Sequence, residues 1–179
     1  MRYRVRSPKR VHGMPLGFFP SHPVPLGFPA RIRVEQGDLY GVPDFYELEI
    51  TVLEAYLGKK AWKKIETLIW DKTLLSRNQD YVLVFLRATL IPYSTTSGRS
   101  SYKLTEDQFF LTTKEAEYKP SRLSLELEQG ILDSSLHDGE TKAGWIAFEV
   151  PRRDQNVLLL YAYKPPGAAV GGRFVWFEL

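Results

Sequence analysis

The densest set of reactive side chains in this sequence is His137 with Asp133, Asp138 and Glu140 around it. An imidazole beside three carboxylates could make a small metal site or an acid–base pair. The local pattern argues for solvated turn residues instead. Asp138-Gly139 is a turn signal, and the acids lack the one-in-two spacing of oxygen ligands in a calcium loop. The other histidines, His12 and His22, lie in a Pro-rich stretch where nothing rigid would aim them at a serine, so a Ser-His-acid hydrolase finds no support. Gly167, Gly171 and Gly172 fall between two strand-like segments with no helix after them, which does not make a phosphate loop. With no cysteine in the chain, disulfides, thiolate zinc sites and cysteine nucleophiles are excluded. The expectation is a non-enzymatic protein with no catalytic residue, no metal and no cofactor.

Contact chemistry remains. Met1–His12 contains Arg2, Arg4, Arg6, Lys9 and Arg10 and no acid, whereas the other residues hold 19 basic against 21 acidic side chains. The basic character therefore belongs to the tail. It could touch phosphates non-specifically, but no basic strand face with interleaved aromatics follows it, so a protein partner is expected rather than nucleic acid. The candidate partner-binding residues are Arg2, Arg4 and Arg6 with Phe18, Phe19 and Phe28 as anchors. Pro166 and Val170 join them from the apolar loop at residues 165–170, which has little reason to be exposed unless it packs on something.

The elements that must position these residues read as β. Residues 1–29 are rich in Pro, Gly and Arg and predict an extended arm, with Pro23–Gly27 approaching a sheet as polyproline-like chain. Residues 30–179 predict one folded domain. Ile32 and Val34 alternate with charged residues, as do Tyr46, Leu48, Ile50 and Val52, and the phase slips at Val52-Leu53, predicting a bulge. Ala61, Trp62, Ile65, Leu68 and Ile69 fall at helical spacing against a lysine-rich opposite face, predicting one short helix that covers an open end of the fold. Tyr81–Leu86 is apolar on both faces. Further strands are predicted at Phe109–Leu111, at Leu123–Glu128 by alternation of the leucines, at Gly144–Val150, at Leu158–Tyr163 and at Arg173–Leu179. Tyr93–Ser101 predicts a polar loop. About eight strands, short turns and one helix point to an all-β sandwich. A chain of 179 residues buries roughly 70 % of its unfolded surface, enough for a core without staples.

The order of segments resembles a telokin-like, immunoglobulin-like bacterial family of unknown function, common in secreted proteins and lipoproteins. The likeness runs from about Pro23 to Leu179. It rests on Pro23–Gly27, Glu47–Glu54, Gly58 with Ala61-Trp62, Asp80–Val84, Gly139-Glu140, Gly144–Pro151 and the closing Val175-Trp176-Phe177. The resemblance implies an immunoglobulin-like β-sandwich, an extracellular or envelope location and no established activity, and it carries over no catalytic residue. Members are typically exported behind a signal peptide or lipid anchor. Here Gly13, Pro15, Gly17, Pro20 and Pro23 interrupt what would be a signal sequence, and no apolar run reaches the roughly 18–20 residues of a membrane span. The expected function is an extracellular or envelope-associated binding or adhesion module using the arm and loop 165–170. The alternative is an accessory or decorating subunit of a filament, capsid or membrane assembly.

Overall fold

Alternation of Tyr46, Leu48, Ile50 and Val52 with polar residues builds the long second strand, and their four side chains are all buried. The computed structural model describes residues 16–37, 43–75, 79–94, 101–151, 156–164 and 172–179. Within them strands β1 (Pro29–Gly37), β2 (Pro43–Leu57), β3 (Asp80–Ser94) and β8 (Thr141–Val150) form one antiparallel sheet in the order β1-β2-β3-β8. A second sheet has the order β10-β9-β5-β6, from β10 (Arg173–Glu178), β9 (Leu158–Tyr163), β5 (Phe109–Thr112) and β6 (Glu117–Tyr118). A two-stranded ribbon pairs β4 (Ser101–Leu104) with β7 (Ser134–His137). The inner faces of the two sheets enclose the main core, which includes Leu48, Leu86, Ile146, Phe148, Phe109, Tyr161 and Phe177.

The bulge expected at Val52-Leu53 is present, as a register shift between Val52 and Glu54 in the pairing with β3. A slip of one residue exchanges the faces of a strand. Before it the even-numbered residues point inward; after it Leu57 joins the main core while Tyr56 turns to the outer face and packs against Trp145, with ring centroids 6.1 Å apart.

Strand β3 is apolar on both faces because both are covered. Val82, Val84 and Leu86 enter the main core, and Tyr81 and Leu83 enter a second cluster outside the sheet with Trp145 and Ala147 of β8. Helix α1 (Lys59–Ile65) supplies the lid, burying Ala61 and Ile65. The helix thus lies on the outer face of the first sheet and not over an open end of the sandwich.

The strand expected at Leu123–Glu128 is instead a short helix, α2 (Leu123–Glu126). Leu123 and Leu127 stand four apart and both enter the outer cluster, while Leu125 is 52 % exposed. Leucines at every second position fit a strand, but the same run also offers an i, i+4 pair, and burial against Ala147 selects the helical use. The buried Ser124 Oγ donates to the Ala147 carbonyl and accepts from the Ala147 amide, both at 2.9 Å. Residues 120–131 in this way occupy the free edge of β8, with bridges Pro120–Phe148 and Gly130–Trp145. Gly144 is required here, since a Cβ on it would lie 2.4 Å from the Gln129 carbonyl oxygen. Of the expected polar loop at Tyr93–Ser101, β3 takes the backbone through Ser94 and β4 begins at Ser101.

Candidate functional site

The described part of the arm, residues 16–29, is built onto the fold through backbone bonds. Gly17 donates to the His22 carbonyl at 2.7 Å and His22 to the Phe19 carbonyl at 3.0 Å, closing a tight turn. Trp176 donates to the Gly17 carbonyl at 2.8 Å, Val24 to the Trp176 carbonyl at 2.7 Å, and Glu178 to the Val24 carbonyl at 2.9 Å. These bonds satisfy the outer edge of β10, where Val24 bridges Phe177 in parallel. Further along, Gly27 donates to the Val52 carbonyl at 2.8 Å, so the segment ties the second sheet to the bulge of the first. Gly17 has a positive φ of 86°, and a Cβ there would stand 2.6 Å from Val24 Cγ2. Only glycine meets both conditions without strain.

The turn displays Phe18 at 55 % and Phe19 at 50 % exposure. Phe18 forms one wall of a groove of about 440 Å³, with Arg31 and Arg33 of β1, Glu47 of β2, and Arg173 and Phe174 of β10. Phe174 is itself 46 % exposed. Hydrogen bonds hold the residues around the groove, within the first sheet and between the two sheets. Arg173 Nη2 meets Glu35 Oε1 at 2.6 Å and its Nη1 donates to the Arg33 carbonyl at 2.6 Å. The Tyr163 hydroxyl donates to the Glu35 carbonyl at 2.5 Å and accepts from the Glu35 amide at 2.7 Å. Arg31 Nε donates to Glu49 Oε2 at 2.8 Å, and this bond raises the Arg31 pKa above its already high ordinary value. The groove therefore combines aromatic walls with cationic groups whose positions are set by neighbouring acids.

The remaining sequence candidates separate. Phe28 is half-buried and packs against the main core, so it serves the fold while Phe18 and Phe19 face outward. Arg2, Arg4, Arg6, Pro166 and Val170 lie outside the described residues. His137 does not converge with its acidic neighbours on a shared point. Its backbone amide donates to Glu140 Oε2 at 2.8 Å, a bond that holds the Glu140 carboxyl below its usual range, while Asp133 pairs with Lys103 at 2.9 Å. Among the described residues no group of three or more His, Cys, Asp or Glu could hold a metal, and no helix is long and apolar enough to cross a membrane.

The solved structure of a secreted protein from Mycobacterium tuberculosis, MPT63, is similar to this chain with a TM-score of 0.51 and 14 % identity, covering 89 % of this chain and 99 % of that one. The fold is an immunoglobulin-like β-sandwich. A model for a domain of unknown function (DUF4352) matches residues 96–171, less than half of the chain. No curated protein matches the sequence. The resemblance expected from the sequence thus holds at a coarser level, as likeness to an unknown-function domain in the second half and to an immunoglobulin-like fold over most of the length. The matched region contains Gly144 and the segment that covers the edge of β8. The arm, β1 and β10, which make the groove, lie outside it.

Sequence reasoning missed Phe174 and Trp70. Phe174 opens the unbroken apolar run Phe174–Phe177 of the closing strand, in which no alternation marks the exposed face. Trp70 follows the helical stripe by one residue, and its exposure beside the buried Ile69 shows that it is turned away from the sheet.

Proposed function

We propose that this chain is a non-enzymatic binding module of the cell surface or envelope, which engages a protein partner through the groove between the arm turn and β10. The observation that carries this reading is the display of Phe18 and Phe19, half exposed, on a turn locked to β10 by backbone bonds. Large rigid aromatics beside arginines are the side chains that dominate protein interfaces, and pre-ordering them lowers the entropic cost of association. Export is supported by the fold's likeness to a secreted protein. A binding role without catalysis is supported by what the acids beside His137 do instead: the Glu140 carboxylate accepts from the His137 backbone amide, and Asp133 is held in a surface ion pair with Lys103.

The test is recovery of the native partner by the full chain and by a Phe18→Ser/Phe19→Ser variant from the protein's own cells, quantified by mass spectrometry. Loss of a stoichiometric partner with unchanged thermal unfolding supports the reading. Equal recovery by both proteins removes the groove from it.

A further inference from the structure

The connection between β2 and β3 presents a second surface, none of whose residues line the groove. Trp70 is 93 % exposed. Its position is fixed from both sides: Ile69 before it is buried in the outer cluster, and after it Asp71 Oδ1 accepts from the Thr73 amide at 2.9 Å and the Thr73 hydroxyl at 2.6 Å. Leu74 follows, 45 % exposed. In α1 each residue turns by about 100° from the last. With Ala61 and Ile65 against the sheet, Lys59, Lys60 and Lys63 take the opposite side, where all three are exposed. Among the described residues, these three lysines and Lys72 form no ion pair. The charge is concentrated locally. Lys59–Leu75 holds five lysines and two acids, while the rest of residues 13–179 holds 14 basic and 19 acidic side chains.

We infer that this connection docks the domain peripherally on an anionic lipid surface, with Trp70 and Leu74 entering the headgroup boundary and Lys59, Lys60, Lys63 and Lys72 reaching lipid phosphates. An indole with an apolar body and one N–H donor is suited to the interface of a bilayer, and lysines beside it add attraction to negative headgroups. The apolar stripe of α1 is consumed by the sheet, so the helix itself does not insert; contact comes from the turn after it. A nucleic acid fits less well. The cations are lysines without the planar fork that reads bases, and Leu74 would gain nothing from a phosphodiester backbone.

The experiment is co-sedimentation of the full chain with vesicles of phosphatidylcholine alone, or of phosphatidylcholine with a minority of phosphatidylglycerol. Binding is expected only to the anionic vesicles and is expected to weaken with salt. Each lysine brought to such a surface changes partitioning by about fivefold, so Lys59→Glu/Lys60→Glu/Lys63→Glu is expected to reduce it about a hundredfold or more. Trp70→Ala, at a site that supports no core packing, is expected to reduce it about tenfold. An Arg2→Gln/Arg4→Gln/Arg6→Gln variant controls for the basic tail and is expected to keep the Trp70 dependence. Absence of partitioning, partitioning that survives Trp70→Ala, or lysine-dependent binding to a DNA duplex without vesicle binding would each overturn the inference. None of these substitutions touches Phe18 or Phe19, so the outcome is separate from that of the groove.

Discussion

The amide of Val24 donates to the carbonyl of Trp176 at 2.7 Å, making the arm an extra edge partner of the last strand. An unpaired edge in a sandwich is a template for unwanted pairing, and here the chain closes it with its own lead-in. Together with the bond from the Trp176 amide to the Gly17 carbonyl it holds the turn that carries Phe18 and Phe19, so edge protection and the display of these two aromatics are one structural event.

Gly17→Ala tests that coupling. The substitution places a Cβ 2.6 Å from Val24 Cγ2 and forces alanine to a φ of 86°. A loss of about 1–3 kcal/mol of stability is expected by denaturant unfolding. Faster amide exchange at Val24 and Glu178 is expected as well, and unchanged exchange there would mean that the turn does not hold the arm.

Ser124→Ala tests the closure of the other edge. It removes one hydroxyl that serves both the amide and the carbonyl of Ala147, and the amide loses its only described partner; the carbonyl keeps the bond from the Ser121 amide at 2.8 Å. A cost of about 1–3 kcal/mol is expected. Because Ser124 is buried, Ser124→Thr is not a rescue; Ser124→Cys, close in size but a weak donor, is expected to fall between alanine and the native residue.

A buried tyrosine group is expected to make stability fall at alkaline pH. The Tyr102 and Tyr161 hydroxyls lie 2.5 Å apart, with Gln108 Nε2 donating to Tyr102 at 2.9 Å. Burial raises the pKa of Tyr102, Tyr161 and Tyr163 above the ordinary tyrosine value. Below about pH 10 these groups are protonated whether folded or not and contribute no pH dependence. Above it the unfolded chain loses protons that the folded chain keeps, so stability falls as pH rises. Urea unfolding between pH 8 and about pH 12 is expected to be flat and then steeply declining, with a shallower decline in Tyr102→Phe. An identical slope in that variant would show that Tyr102 does not titrate with the transition.

The sandwich was legible because its strands carry strong alternation: Ile32 and Val34, Tyr46 to Val52, and the apolar run Tyr81 to Leu86 each sit where the pattern put them. The bulge was readable as a break in phase. Leu123–Leu127 misled because three alternating leucines satisfy both a strand and one helical turn, and the deciding partner, Ala147, lies more than twenty residues away. The placement of α1 depended likewise on the outward residues of β3 and β8, which local spacing does not reveal. Phe18 and Phe19 could be named as candidates from composition, but Phe28 is separated from them only by the core it meets. The pairing of residues 17–24 with β10 joins segments about 150 residues apart, a contact no local motif encodes.

We propose that the arm turn is a contact surface for another protein. The most direct measurement places a photo-crosslinking amino acid at Phe19 and, in a second protein, at Leu125, which is comparably exposed on α2. Irradiation is carried out in the native cells. The account requires a discrete cross-linked protein from position 19, absent from position 125 and lost when Phe18→Ser is added. No adduct at position 19, or the same adducts from both positions, would contradict it.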